Sequence, residues 1–169
     1  MKKIMSYILI FIFLFSVSFA QEKYVVHIKT DLSKDDAQIC VAYNVILSAL
    51  NKRYAVSAII DASAVNTYKK KTFRNYDSIE RYKIPERLRV ELYNQFNLKK
   101  ENVPETYGEF LDLLIEKGAN FYVNSTMIVL AKVSENFNDN NSLSNPNFKI
   151  ITVDDIVDIV KNSDHYIVY

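Results

Sequence analysis

Thr106-Tyr107-Gly108-Glu109-Phe110-Leu111-Asp112-Leu113-Leu114-Ile115-Glu116-Lys117-Gly118-Ala119-Asn120-Phe121-Tyr122-Val123-Asn124-Ser125-Thr126 is the stretch that decides the fold. Thr106 and Glu109 have capping-box spacing, and Phe110, Leu113 and Leu114 recur at i, i+3 and i+4, which predicts an amphipathic helix. Gly118 stands where a helix closes through a left-handed residue. Ala119 to Val123 then reads as a short buried strand that opens onto Asn124, Ser125 and Thr126, with a further helix from Ser125 to Ala131. In an open α/β sheet, ligands and reactive groups gather at the carboxyl ends of the strands, so chemistry is expected at this turn. No cysteine, histidine or carboxylate occupies it.

The same alternation extends in both directions. Upstream, Tyr24 to Lys29 is β-branched and aromatic and enters a turn at Thr30 to Ser33. Ser33 with Asp36 resembles a capping box, so a helix is expected from near Lys34 to Leu50, with Asn51 as its left-handed stop. Its side chains are apolar almost all round, so either the sheet and a neighbouring segment cover it or a second subunit does. Tyr54 to Ile60 is a second buried strand ending at Asp61, and this strand, helix and strand form a right-handed parallel unit. A short helix is expected over 64–70, and an amphipathic helix from Pro85 to Phe96 with Leu88, Leu92 and Phe96 facing inward. Downstream, 136–147 is a polar loop and Phe148 to Thr152 a fourth strand. Thr152 with Asp155 starts a last helix whose Ile156, Ile159 and Val160 face inward, and Asp164 to Tyr169 closes the chain as a fifth strand. Five strands separated by helices predict a three-layer α/β/α sandwich on a five-stranded, mainly parallel sheet.

The first twenty residues stand outside this pattern. Lys2 and Lys3, an apolar run from Ile4 to Phe15 and the small-x-small Ser18-Phe19-Ala20 read as a secretory signal peptide cut after Ala20. The apolar run is too short for a spanning helix, which needs roughly 20 residues. The expected mature protein is a single domain over 21–169, periplasmic or secreted, with no membrane contact after cleavage. Without the two leader lysines, 21 basic against 20 acidic residues become 19 against 20. Such a balance provides no basic patch for nucleic acid. Lys69, Lys70, Lys71, Arg74, Arg81, Lys83, Arg87 and Arg89 concentrate charge over 69–89, at the start of the least typical part, 71–103, but Asp77, Glu80, Glu86 and Glu91 dilute it to a solvated surface.

Cys40 is the single cysteine and lies in an apolar helix, where free cysteine packs as a small hydrophobe. His27 and His165 lack ligand-spaced companions, so both read as structural or surface residues, and neither a metal nor a cofactor is expected. Only Gly108 and Gly118 occur, which leaves no glycine-rich phosphate loop. Asn124, Ser125 and Thr126 could hold a small anion at a helix start, with Asp31 and Asp61 bordering the same turn; the plainer reading is that Asn124 or Ser125 caps the helix.

Tyr107-Gly108-Glu109-Phe110-Leu111, Leu113 through Val123, Ile150-Ile151-Thr152-Val153-Asp154-Asp155-Ile156-Val157 and Ser163 through Tyr169 are similar to the DsrE/DsrF-like sulfur-relay family, as are Val25-Val26-His27-Ile28 and Ala58-Ile59-Ile60-Asp61. The resemblance covers most of 24–169 and is poorest over 70–103. It implies a five-stranded sandwich that assembles into trimers or hexamers and works with a sulfur-metabolism protein partner. Active members carry a persulfide on a cysteine just after the strand that here ends at Val123. This chain has Asn124 there, and an amide cannot supply a thiolate. The expectation is therefore an exported, non-catalytic, oligomeric binding or accessory module. A sulfur carrier using Cys40, and a small-anion binder or enzyme at the Asn124 turn, are the alternatives.

Overall fold

The computed structural model describes residues 21–70, 79–96 and 98–169. The expected leader and Lys71, Phe73, Arg74, Tyr76 and Asp77 of the basic segment lie outside them. Five strands form one sheet: β1 (Lys23–Ile28), β2 (Ala55–Ile60), β3 (Asn120–Asn124), β4 (Lys149–Ile151) and β5 (His165–Val168). Their order is β4-β3-β2-β1-β5, and all four ladders are parallel. Among the described residues five α-helices accompany them: α1 (Asp36–Asn51), α2 (Glu86–Phe96), α3 (Tyr107–Glu116), α4 (Ser125–Leu130) and α5 (Val153–Lys161). A 3-10 helix, Ala62–Tyr68, follows β2.

The sheet separates two apolar layers of unequal size. Val26, Ile28, Val56, Ala58, Ile60, Phe121 and Val123 point into the larger one, which also holds the inner faces of α1 and α3. At its centre Tyr43 is fully buried, edge-on to Phe110 with centroids 5.3 Å apart, and its hydroxyl meets that of Tyr68 at 2.9 Å. Val25 and Ile59, at the alternate strand positions, face the other way and pack with Ile156 of α5 in a smaller core. Ile159 and Val160 pack against that cluster, as the spacing of the last helix predicts. The chain is thus a three-layer α/β sandwich.

Several boundaries differ from the expectation for local reasons. Asp35, not Ser33, caps α1: its carboxylate accepts the Ala37 and Gln38 N–H groups, while the Ser33 N–H is drawn back to Asp31. Asn51 remains helical, and the left-handed turn falls on Arg53 at φ 67°. The helix expected over 64–70 starts earlier because Asp61 caps it at Ala62. Thr106 accepts the Glu109 N–H, but the Glu109 carboxylate reaches Glu105 N–H instead of completing the box. Thr152 and Asp155 do form the reciprocal pair. Gly118 adopts φ 103°, which only glycine takes without strain.

Seven residues of α1, Ile39, Cys40, Ala42, Tyr43, Ile46, Leu47 and Ala49, are buried within the single chain. The helix packs on β1 and β2 and also against α2 and α3. The sheet and neighbouring helices therefore cover most of its apolar girth, while Val41 stays 46% exposed.

Candidate functional site

The carboxyl ends of β1, β2 and β3 lie side by side because all three strands run parallel and in register. His27 is two residues beyond Val25 in β1, on the face that α5 covers. Asp61 follows β2 directly, and pairing of Ile60 with Val123 places Asn124 beside it. Tyr166 of β5, paired with Val25, reaches the same face from the sheet edge. The four side chains form one line. Tyr166 Oη lies 2.8 Å from His27 Nδ1, and His27 Nε2 lies 3.1 Å from Asp61 Oδ2. Asn124 Nδ2 donates to Asp61 Oδ1 at 2.8 Å, and the Ala62 N–H donates to the same oxygen at 2.7 Å.

Asn124 and Asp61 are held from behind. Asn124 is the N-cap of α4, its Oδ1 accepting the Thr126 N–H at 3.0 Å, so the capping role expected for this residue type is the one observed. Its amide orientation follows from having a donor on one side and an acceptor on the other. His27 is 7% exposed and Asn124 6%, whereas Tyr166 is 47% exposed. The Asp61 carboxyl is held down at about 2, chiefly by its hydrogen bond with His27, with the Ala62 and Asn124 donors adding to this and burial opposing it. Burial and the negative charge of Asp61 push the Tyr166 hydroxyl up. An ionised carboxylate only accepts, so His27 Nε2 carries the hydrogen of that contact.

Of the residues expected to bind a ligand, Asn124 and Asp61 are in direct contact. Ser125 is buried at the start of α4, and Thr126 donates its N–H to Asn124. Asp31 has its bonds elsewhere: its carboxylate accepts from Ser33 N–H at 3.0 Å and Thr67 Oγ1 at 3.3 Å, bracing the loop after β1 against the 3-10 helix. With the Thr126 N–H of α4 already taken by the Asn124 cap and an ionised carboxylate beside Asn124, the turn is poorly suited to an anion.

Cys40 is 7% exposed, and burial pushes its thiol up, with Tyr107 and Asn44 hydrogen bonds opposing this only in part. It is a packing position in the larger core. Arg89 is tied to Glu86 at 2.9 Å, to Glu105 at 3.7 Å and to the Pro104 carbonyl, so this part of the basic segment is spent internally. Among the described residues, no group of three or more histidine, cysteine or carboxylate side chains converges on a metal position.

His27 and Tyr166 are the members that sequence reasoning missed. Their signal is strand phase: each lies on the Val25 face, and parallel neighbours present Asp61 and Asn124 at the adjacent strand ends.

Fold and site together define a small, all-parallel α/β sandwich with a polar line of four side chains across its strand ends. No family model matches the chain, and no curated protein matches it.

Proposed function

We propose that this protein is an exported, DsrE/DsrF-like binding or accessory module linked to sulfur metabolism, assembled as a homo-oligomer, that does not carry sulfur on itself. The observation that supports this best is the state of the two positions where a persulfide could form. At the end of β3 stands Asn124, with both ends of its amide engaged by Asp61 and Thr126. The single thiol, Cys40, is buried and its ionisation is suppressed. A thiolate is the species that accepts and passes sulfur, and neither position supplies one.

Self-association draws support from the apolar helix α1, whose Val41 stays exposed, and from the pair Val153 and Val157, one turn apart and both exposed on α5. Export rests on the leader-like residues 1–20.

Intact mass of the mature protein after incubation with a persulfide donor, beside Cys40→Ser, is the test. Unchanged mass in both agrees with the proposal. A gain of one sulfur atom that disappears in Cys40→Ser replaces it with the Cys40 carrier. The same spectrum reports whether the chain begins at Gln21, and sedimentation at micromolar concentration reports the oligomer.

A further inference from the structure

Tyr166, His27, Asp61 and Asn124 make a hydrogen-bonded line whose direction is fixed at one end. Asn124 and the Ala62 N–H both donate to Asp61, and Asp61, ionised, accepts the Nε2 hydrogen of His27. With the imidazole neutral, Nδ1 is then a bare lone pair, and the Tyr166 O–H points inward to it at 2.8 Å. The remaining lone pairs of Oη are left as acceptors on a tyrosine that is 47% exposed. With the imidazole protonated, Nδ1–H donates to Oη and the Tyr166 hydrogen is released outward. One hydroxyl therefore changes from proton acceptor to proton donor as His27 gains a proton, while His27 itself stays buried.

We propose that this line is a general acid–base site, with Tyr166 Oη as the catalytic atom and His27 as the proton store behind it. Asp61 and Asn124 are positioning residues that hold the tautomer. In the basic direction, Oη takes a proton from the substrate as its own proton moves to His27 Nδ1. The electron pair left on the substrate forms the new bond that expels a leaving group, and the imidazolium later returns its proton through Tyr166 to water. The arrangement is that of hydroxyl–imidazole–carboxylate relays, with a phenol in place of an aliphatic hydroxyl. The raised Tyr166 hydroxyl suits it to relaying a proton more than to standing as a free phenolate. Asp61 makes the line electronegative when His27 is neutral, which disfavours anionic substrates. Val168, half-exposed two residues along on the same face of β5, adds an apolar flank. The substrate class is a small, uncharged organic molecule with an activated C–H or N–H and a leaving group beside it. This inference goes beyond the proposed function and depends on neither export nor sulfur chemistry.

The test uses the full mature chain and 5-nitrobenzisoxazole, whose ring opens in one step when a base takes its C–H proton: the C–H pair forms the nitrile and the N–O bond breaks to a phenolate. Tyr166→Phe removes only the hydroxyl and is expected to lower kcat/KM at least tenfold, as is His27→Gln. Asp61→Asn is expected to cause a similar loss and, in the nitrogen-15 spectrum of His27, to move the hydrogen from Nε2 to Nδ1. The inference is overturned if the wild type is no faster than the same concentration of free imidazole, or if Tyr166→Phe keeps the wild-type rate. It is equally overturned if neutral His27 in the wild type carries its hydrogen on Nδ1, a measurement that stands even where Asp61→Asn fails to fold. The persulfide mass experiment reads Cys40 and is unaffected by either outcome.

Discussion

Replacing Asn124 by alanine removes two bonds at once, and the structure sets what each contributes. The side chain is nearly fully buried, accepts the Thr126 N–H at 3.0 Å as the cap of α4, and donates to Asp61 at 2.8 Å. Losing an N-cap acceptor costs about 1 kcal/mol. A hydrogen bond to a charged group contributes about 1.5 kcal/mol or more, but the Asp61 side chain is 19% exposed, so water replaces part of it and about 1 kcal/mol is a fair share. The expected destabilisation is about 2 kcal/mol. In urea unfolding, with an m-value of about 2 kcal/mol/M for a domain of this size, the midpoint falls by about 1 M while the slope is unchanged. Asn124→Ser keeps a capping oxygen but no amide donor, so it should recover about half of the loss. A midpoint for Asn124→Ala within about 0.2 M of wild type, or a serine variant as unstable as the alanine one, would refute this account of the turn.

Three further outcomes follow from the same geometry. The Asp61 carboxyl lies at about 2 against an unfolded value of 3.8, so its bonds stabilise the fold above the unfolded value and lose that effect as pH falls through about 2. After discounting for its exposed edge, the term is about 1 kcal/mol, and the stability gap between wild type and Asp61→Asn should narrow by that much from pH 6 to pH 2 in urea titrations. Cys40 should resist a thiol reagent in the native protein and react at the rate of unfolding; labelling within the mixing time would contradict its burial. Asn124→Cys should fail to gain sulfur from a persulfide donor at neutral pH, because ionised Asp61 beside it disfavours a thiolate; a readily persulfidated variant would show that the strand end still suits a thiol.

The architecture was legible because each element carries its own period. Thr152 with Asp155, Gly118 at a helix end and the apolar strands alternating with helices are local signals, and each is found where its physical chemistry puts it. The failures are also local. Ser33 with Asp36 has the spacing of a capping box, but Asp35 lies one residue closer to the helix and Asp31 takes the Ser33 N–H, so the competitor wins. Asn51 has the right type for a left-handed stop, yet α1 runs through it and the turn falls on Arg53. Apolar side chains all round α1 left two coverings open; packing against the sheet, α2 and α3 accounts for most of that surface and leaves Val41 exposed.

The candidate site was half legible for a different reason. Asn124 and Asp61 could be named because each follows a strand, and strand ends are where parallel sheets collect polar groups. His27 and Tyr166 lie 139 positions apart in sequence, and neither has a polar neighbour at motif spacing. Their meeting depends on β5 returning to the far side of β1, which places the last strand of the chain against the first. Once that order is known, strand phase alone puts Tyr166, His27 and Asp61 on the face that Val25 defines, and Asn124 follows from the register of β3 with β2. A lone histidine in an apolar strand has no partner visible at short range. The crossover supplies two, an exposed hydroxyl on one side and an ionised carboxylate on the other, and that is what separates a packed imidazole from one able to move a proton.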